Sequence, residues 1–359
     1  MKKYLLPSVV SLALISPFSF AYETFECSPG VEWKWGTNAV TISAQDVEFD
    51  SGSTWGNALG KAVDIANRNP SPLRYSLSYG DTSMSFNNNQ SEVWWSSVMT
   101  NPGFIAEAWF WGDSSTCEID EADMRYLNTV DYTASNSKAH NLAYGGSKEN
   151  FQLIALHEIG HTMGLDHTTS VASIMGGGTY TTTNGSLVYP GLGEDASTAL
   201  YDMYGANSGN IEDLAVNHWR HTGSSGGYAT HGRTRLFTTG GSVVASTWVD
   251  DEPIYDVQPG STYKVEFSFE NNGENAQYID AGFYISTNAF ISTSDRLIRT
   301  KPMVLVRNAS PSLRQSTITI PSDLTVNEDY YLGVRIDDGN ILSEESETNN
   351  ATYVGIRTY

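Results

Sequence analysis

The stretch Phe151-Gln-Leu-Ile-Ala-Leu-His-Glu-Ile-Gly-His-Thr-Met-Gly-Leu-Asp-His167 carries the pattern H-E-x-x-H-x-x-G-x-x-H. Phe151, Leu153, Ile154, Ile159 and Met163 are its apolar residues, and the spacing predicts a largely buried helix over 148–163. On a helix, His157 and His161 lie one turn apart on the same face. Neutral imidazoles are preferred zinc ligands, and a catalytic zinc keeps a fourth position open for water. Glu158, beside the first ligand, is placed to take a proton from that water. Gly164, lacking a Cβ, can adopt the left-handed backbone that ends the helix and turns the chain, so that His167 returns as the third ligand. A structural zinc would close with a fourth protein ligand, often Cys, and this stretch has none.

These residues resemble the zinc signature of the metzincin peptidases. Downstream, Ser173-Ile-Met-Gly-Gly-Gly178 resembles the metzincin Met-turn, which would make Met175 an apolar floor under the three histidines and not a ligand. The resemblance implies a zinc-dependent endopeptidase acting on proteins or peptides, with Glu158 as general base. It also implies an α+β catalytic domain, a mixed twisted sheet with three main helices. The pattern departs in one place. Some metzincins carry a Tyr two residues after the methionine; here that position is Gly177, and Tyr180, the next tyrosine, is expected to pack.

Working outward, this domain is expected to span 22–205. Val31-Glu-Trp-Lys-Trp35 and Ala39-Val-Thr-Ile-Ser43 alternate as strands. Trp55, Leu59, Ala62, Val63 and Ala66 build one face of a helix over 55–67, with Pro70 just beyond it. Phe104-Ile-Ala-Glu-Ala-Trp-Phe-Trp111 reads as an aromatic strand. In the metzincin fold a strand here forms the sheet edge above the cleft and pairs with extended substrate; packing alone is the other reading. Cys117-Glu-Ile-Asp-Glu-Ala-Asp-Met-Arg-Tyr-Leu-Asn128 resembles the matrixin stretch before the active-site helix. Its carboxylates, Asp120 and Asp123 among them, offer oxygen ligands to calcium, the alternative being a solvated face. Residues 193–205 resemble the closing helix of a matrixin-type domain, with Ala196, Leu200 and Met203 on one face.

Residues 1–21 read as a secretory signal: Lys2 and Lys3, an apolar run, then Ser19-Phe-Ala21 before a cleavage point. Pro7 and Pro17 count against a spanning helix, and no other stretch is long and apolar enough for membrane insertion. In an exported chain Cys27 and Cys117, the two cysteines, are most simply a disulfide; the sharper alternative, used by some metzincins, is Cys27 as a thiolate that blocks the zinc. The net charge of −21 argues against nucleic acid as a partner. A length of 359 residues calls for more than one core.

Residues 206–250 are rich in Gly, Ser and Thr and read as a linker or a small β extension. His218, His221 and His231 lie here without metal spacing and are expected at the surface. In residues 251–359 the run 263–269 alternates cleanly, further strands are expected at 278–286, 297–306, 314–320 and 330–336, and short strands at this spacing suggest an all-β sandwich. Its end, with Glu344-Glu-Ser-Glu-Thr-Asn-Asn350, resembles the bacterial cell-adhesion-related (CARDB) immunoglobulin-like domain. That resemblance implies a cell-surface or extracellular-matrix target. A second function therefore stands beside the peptidase: an adhesin or glycan-binding protein whose sandwich does the work while the zinc domain is inactive. The intact Glu158 counts against it.

Overall fold

The computed structural model describes residues 22–177 and 180–359; the expected signal segment, Gly178 and Thr179 lie outside them. Among the described residues three α-helices, all in the first half, stand against many strands. The architecture is α+β up to Gly205 and β-rich beyond it.

The first half is built on a twisted sheet in which Ala39–Gln45 runs parallel to both Arg74–Asp81 and Glu92–Ser96, and Glu92–Ser96 runs parallel to Glu118–Leu127. Ala106–Asp113 is the antiparallel strand, and among the described residues it pairs with Glu118–Leu127 alone. It is therefore an edge strand with one row of backbone groups unpaired. Its side chains alternate. Phe110 packs against Phe25 and Trp33, whereas Trp109 and Trp111 meet Phe86 on the other face.

Helix α1, Thr54–Ala66, starts where the Ser53 hydroxyl accepts the Gly56 N–H at 2.9 Å. It buries Ala58, Leu59, Ala62, Val63 and Ala66. Helix α2, Phe151–Thr162, is shorter at both ends than the periodicity predicts. Asn150 caps it by accepting the Leu153 N–H at 3.1 Å, which stops the helix from extending back to Lys148. Both helices share one core with the sheet, in which Phe49, Trp95, Tyr126 and Phe151 interlock. Helix α3, Gly193–Tyr204, has no side-chain cap of its own. The Glu270 carboxylate, from the second half, accepts the Glu194 N–H there at 2.9 Å. An anion suits a helix N-terminus, where several N–H groups lack partners.

In the second half, Thr262–Asn271 pairs with Leu214–Asn217 and Leu236–Thr238 on one side and Ser312–Thr319 on the other. A six-stranded sheet runs in the order Ser246–Val249, Glu252–Val257, Ala351–Thr358, Asp329–Arg335, Gln277–Ser286, Arg296–Leu305. Val265, Phe267 and Phe269 of the first sheet share a core with Phe283, Ile285, Val334 and Val354 of the second. Residues 206–250 hold five strands, of which Leu214–Asn217, Leu236–Thr238 and Ser246–Val249 belong to these sheets. The other two, Trp219–Ser225 and Tyr228–Arg233, form a hairpin that reaches back to the first half.

The two halves meet through buried polar groups. Tyr180 Oη and Asn217 Nδ2 both donate to Glu270 Oε1 at 2.5 Å. The Glu194 carboxylate accepts the backbone N–H groups of Asn271 and Asn308 at 3.0 and 2.6 Å. Arg233 lies over the Trp219 and Tyr144 rings and donates to the Ala143 carbonyl. His218 is 3% exposed, which corrects the expectation of a surface histidine. It lies between Tyr144 Oη, an Arg233 guanidinium nitrogen and the Tyr353 carbonyl.

Candidate metal centre

Helix α2 holds His157 and His161 on one face, both 8% exposed. Each ring is fixed from behind by its Nδ1, which donates to a backbone carbonyl: Ile174 at 2.7 Å for His157 and Leu165 at 2.8 Å for His161. A proton on Nδ1 leaves Nε2 as a free lone pair, the form that binds metal.

Gly164 turns the chain with φ +99°. A Cβ there would run into the Trp33 carbonyl oxygen and stand 2.8 Å from Met203 Cε. The turn is held from several sides. Phe25 donates its N–H to the Gly164 carbonyl at 3.0 Å, Asp166 to Glu23 at 3.0 Å, and Tyr204 Oη to the Met163 carbonyl at 2.9 Å. His167 is thereby brought back to the helix. The three Nε2 atoms lie 2.9–3.2 Å apart. Tetrahedral ligands at about 2.0–2.1 Å from a zinc stand about 3.3 Å apart. The triad therefore fits a zinc ion, and among the described residues it is the one group of three or more His, Cys, Asp or Glu able to hold a metal.

Burial lowers all three imidazoles, His157 to about 3, His161 to about 4 and His167 to about 2, with neighbouring histidines adding to the shift at His157 and His167. They are neutral at pH 7, as metal ligands must be. Glu158 is 6% exposed, and burial followed by the Glu107 charge raises its carboxyl to about 8. A carboxyl poised this close to neutrality suits proton transfer in either direction.

Met175 lies beneath, 1% exposed. A Cβ on Gly160 would stand 2.5 Å from its sulfur, so the bare face of α2 admits the thioether. Ser173 shapes this turn by accepting the Met175 N–H on its hydroxyl at 3.0 Å.

The calcium expectation at Asp120 and Asp123 has no support in the structure. Asp120 is exposed, and Asp123 is fully buried, accepting the Glu92 N–H at 2.9 Å. Burial, then the charges of Glu121 and Glu92, raise the Asp123 carboxyl to about 9, and neither aspartate belongs to a group able to hold a metal among the described residues. Cys27 is bonded to Cys117, so its sulfur is not free to block a metal.

Sequence reasoning missed the hairpin. Tyr228 packs its ring 4.2 Å from that of His167, centroid to centroid. Burial, then the charges of Glu158 and Asp166, raise its hydroxyl. His221 donates to the Thr169 carbonyl at 3.0 Å, and His231 Nε2 accepts the Ser173 N–H at 3.3 Å. Two of the three scattered histidines therefore fasten the hairpin to the metal-site loops. The sequence signal was the Gly-Gly after Met175, which leaves room for a close neighbour.

Residues 39–205 match the family model of the matrixins, a family of zinc metallopeptidases. Two solved structures similar to this chain are of a CARDB domain from Pyrococcus furiosus, one a crystal structure in complex with di-metal ions, the other a solution NMR structure. They are 14% and 13% identical to it, cover 42% of it, and are themselves covered to 90% and 96%, each with a TM-score of 0.25. A search of curated proteins gives no match.

Proposed function

We propose that this chain is a secreted zinc-dependent endopeptidase. The observation that carries the proposal is the convergence of three neutral Nε2 lone pairs beside a buried carboxyl on the same helix. The matrixin match over 39–205 supports it. His157, His161 and His167 would hold one zinc, which when bound supplies Lewis acidity to polarise a carbonyl and make water more acidic. Glu158 takes a proton from the attacking water and returns one to the leaving amine. The unpaired side of Ala106–Asp113 offers N–H and C=O groups to an extended peptide.

We read residues 22–205 as the peptidase domain and 251–359 as an immunoglobulin-like sandwich that directs it to a cell-surface or matrix target. The strands of 206–250 tie the two together. Residues 1–21 would direct export and be removed near Ala21. Among the described residues no helix is long and apolar enough to cross a membrane. The adhesin reading is not favoured, because the matrixin match falls on the half it treats as inactive.

The test is digestion of a degenerate peptide library and of casein by purified 22–359. Cleavage that stops with a chelator and returns with one equivalent of zinc is expected. A chain that demonstrably holds one zinc yet cleaves neither would overturn the proposal.

A further inference from the structure

We infer that the hairpin Trp219–Ser225/Tyr228–Arg233 is a wall of the substrate cleft, with Tyr228 as a specificity-determining residue that contacts the bound peptide. The inference rests on the peptidase reading and extends the site beyond the segment that carries the zinc signature.

The first observation is how the hairpin is seated. Ala229 donates its N–H to the Thr168 carbonyl at 2.7 Å and accepts the Gly177 N–H at 3.0 Å. These bonds clamp it between the residue after the third histidine and the turn that holds Met175. The second is the space left for it. A Cβ on Gly176 would stand 2.9 Å from Ala229 Cβ and 3.2 Å from His231 Nε2, and one on Gly177 would stand 3.0 Å from the Ala229 carbonyl oxygen. Neither glycine has a positive φ. Their missing side chains answer to the approach of the hairpin, not to backbone strain. Metal-site loop and hairpin thus fit as one unit.

The third observation is what the hairpin presents. Ser225 and Tyr228 are paired across the Gly226-Gly227 tip, so Tyr228 is the first residue of the returning strand. Its ring lies against His167 while the residue stays 37% exposed. No hydrogen bond engages its hydroxyl among the described residues. A tyrosine whose ring is braced against a neighbour and whose hydroxyl is left without a hydrogen bond is suited to binding: the ring offers apolar area with little rotamer freedom to lose, and the hydroxyl donates to a peptide carbonyl. Because the hairpin lies outside 22–205, a bound peptide would touch both halves of the chain.

The test uses the full chain 22–359 with Tyr228→Phe and Tyr228→Ala. Zinc content and thermal midpoint should match the wild type in both. Loss of the hydroxyl should raise KM about three- to tenfold, and loss of the ring about ten- to hundredfold, with kcat changing less. A readout apart from turnover is calorimetric binding of a cleavable peptide to Glu158→Gln, which Tyr228→Ala should weaken by a similar factor. Unchanged KM and unchanged peptide affinity in Tyr228→Ala, in a preparation whose wild type cleaves, would overturn the inference and leave the peptidase reading standing. A wild type that cleaves nothing would instead overturn the reading on which it rests.

Discussion

Replacing Cys27 and Cys117 with Ser should cost the first half much of its stability. The bond joins residues 90 apart in sequence. In the chain-entropy model, closing a loop of about 90 residues removes roughly 15 cal/mol/K from the unfolded chain, or about 4.6 kcal/mol at ~298 K. For a domain of about 150–250 residues each kcal/mol moves the midpoint by about 2–4 °C, so a fall of roughly 10–20 °C is expected. The loss should also reach the metal site. Cys27 lies in the N-terminal segment whose Glu23 and Phe25 backbone groups bond Asp166 and Gly164 beside the third histidine. Phe25 also packs 5.7 Å from the His161 ring. Freed from Cys117, this segment should fray, and zinc should leave the variant faster. The assay is thermal unfolding followed by circular dichroism, with zinc release to a chromophoric chelator in parallel. A midpoint shift below about 3 °C, with unchanged zinc release, would refute the reasoning.

Other perturbations probe separate parts of the structure. Gly164→Ala places a side chain where φ is +99° and the Trp33 carbonyl oxygen leaves no room for it. The backbone conformation alone costs about 1–2 kcal/mol, and relieving the clash should displace His167; wild-type zinc affinity and midpoint would contradict this. Two buried carboxyls, Glu194 and Asp213, should make stability fall as pH rises. Burial raises Glu194 to about 8 and Asp213 to about 7, so both are protonated in the fold where the unfolded chain would be ionised. Such groups contribute fully below their unfolded values and lose that contribution as pH climbs through the folded ones, so the midpoint should be higher at about pH 7 than at about pH 9, above the range in which the unfolded chain's histidines titrate. A midpoint that rises across that window would show that these carboxyls are not protonated in the fold.

The convergence of the three histidines was largely legible because its determinants are local. His157, His161 and Gly164 lie within one helix and its turn, and their spacing alone sets which side chains converge. The runs around 263–269 and 278–286 were legible for the same reason, since every second residue, Val265, Phe267 and Phe269 in one and Ile279, Ala281, Phe283 and Ile285 in the other, points into one apolar core. What could not be read was set by distant partners. Glu194 and Glu270 look like solvent-facing acids until Tyr180, Asn217 and three backbone amides are seen to satisfy them. Gly223, Gly226 and Gly227 have the composition of a linker, yet they belong to a hairpin whose place is fixed by Thr168, Thr169 and Gly177. Glu252–Val257, with Pro253 in it, gives little strand signal, yet it lies parallel to Ala351–Thr358 from the far end of the chain.

The central claim is that Glu158 moves the proton at a site whose metal is held by the three histidines alone. The most direct measurement is peptide cleavage by Glu158→Gln beside the wild type, with zinc counted in both. One zinc per chain in each and a loss of kcat of at least about a hundredfold in the variant are expected, since proton transfer by a positioned side chain contributes about 10²–10⁴-fold. Wild-type turnover by a zinc-loaded Glu158→Gln chain would contradict the account.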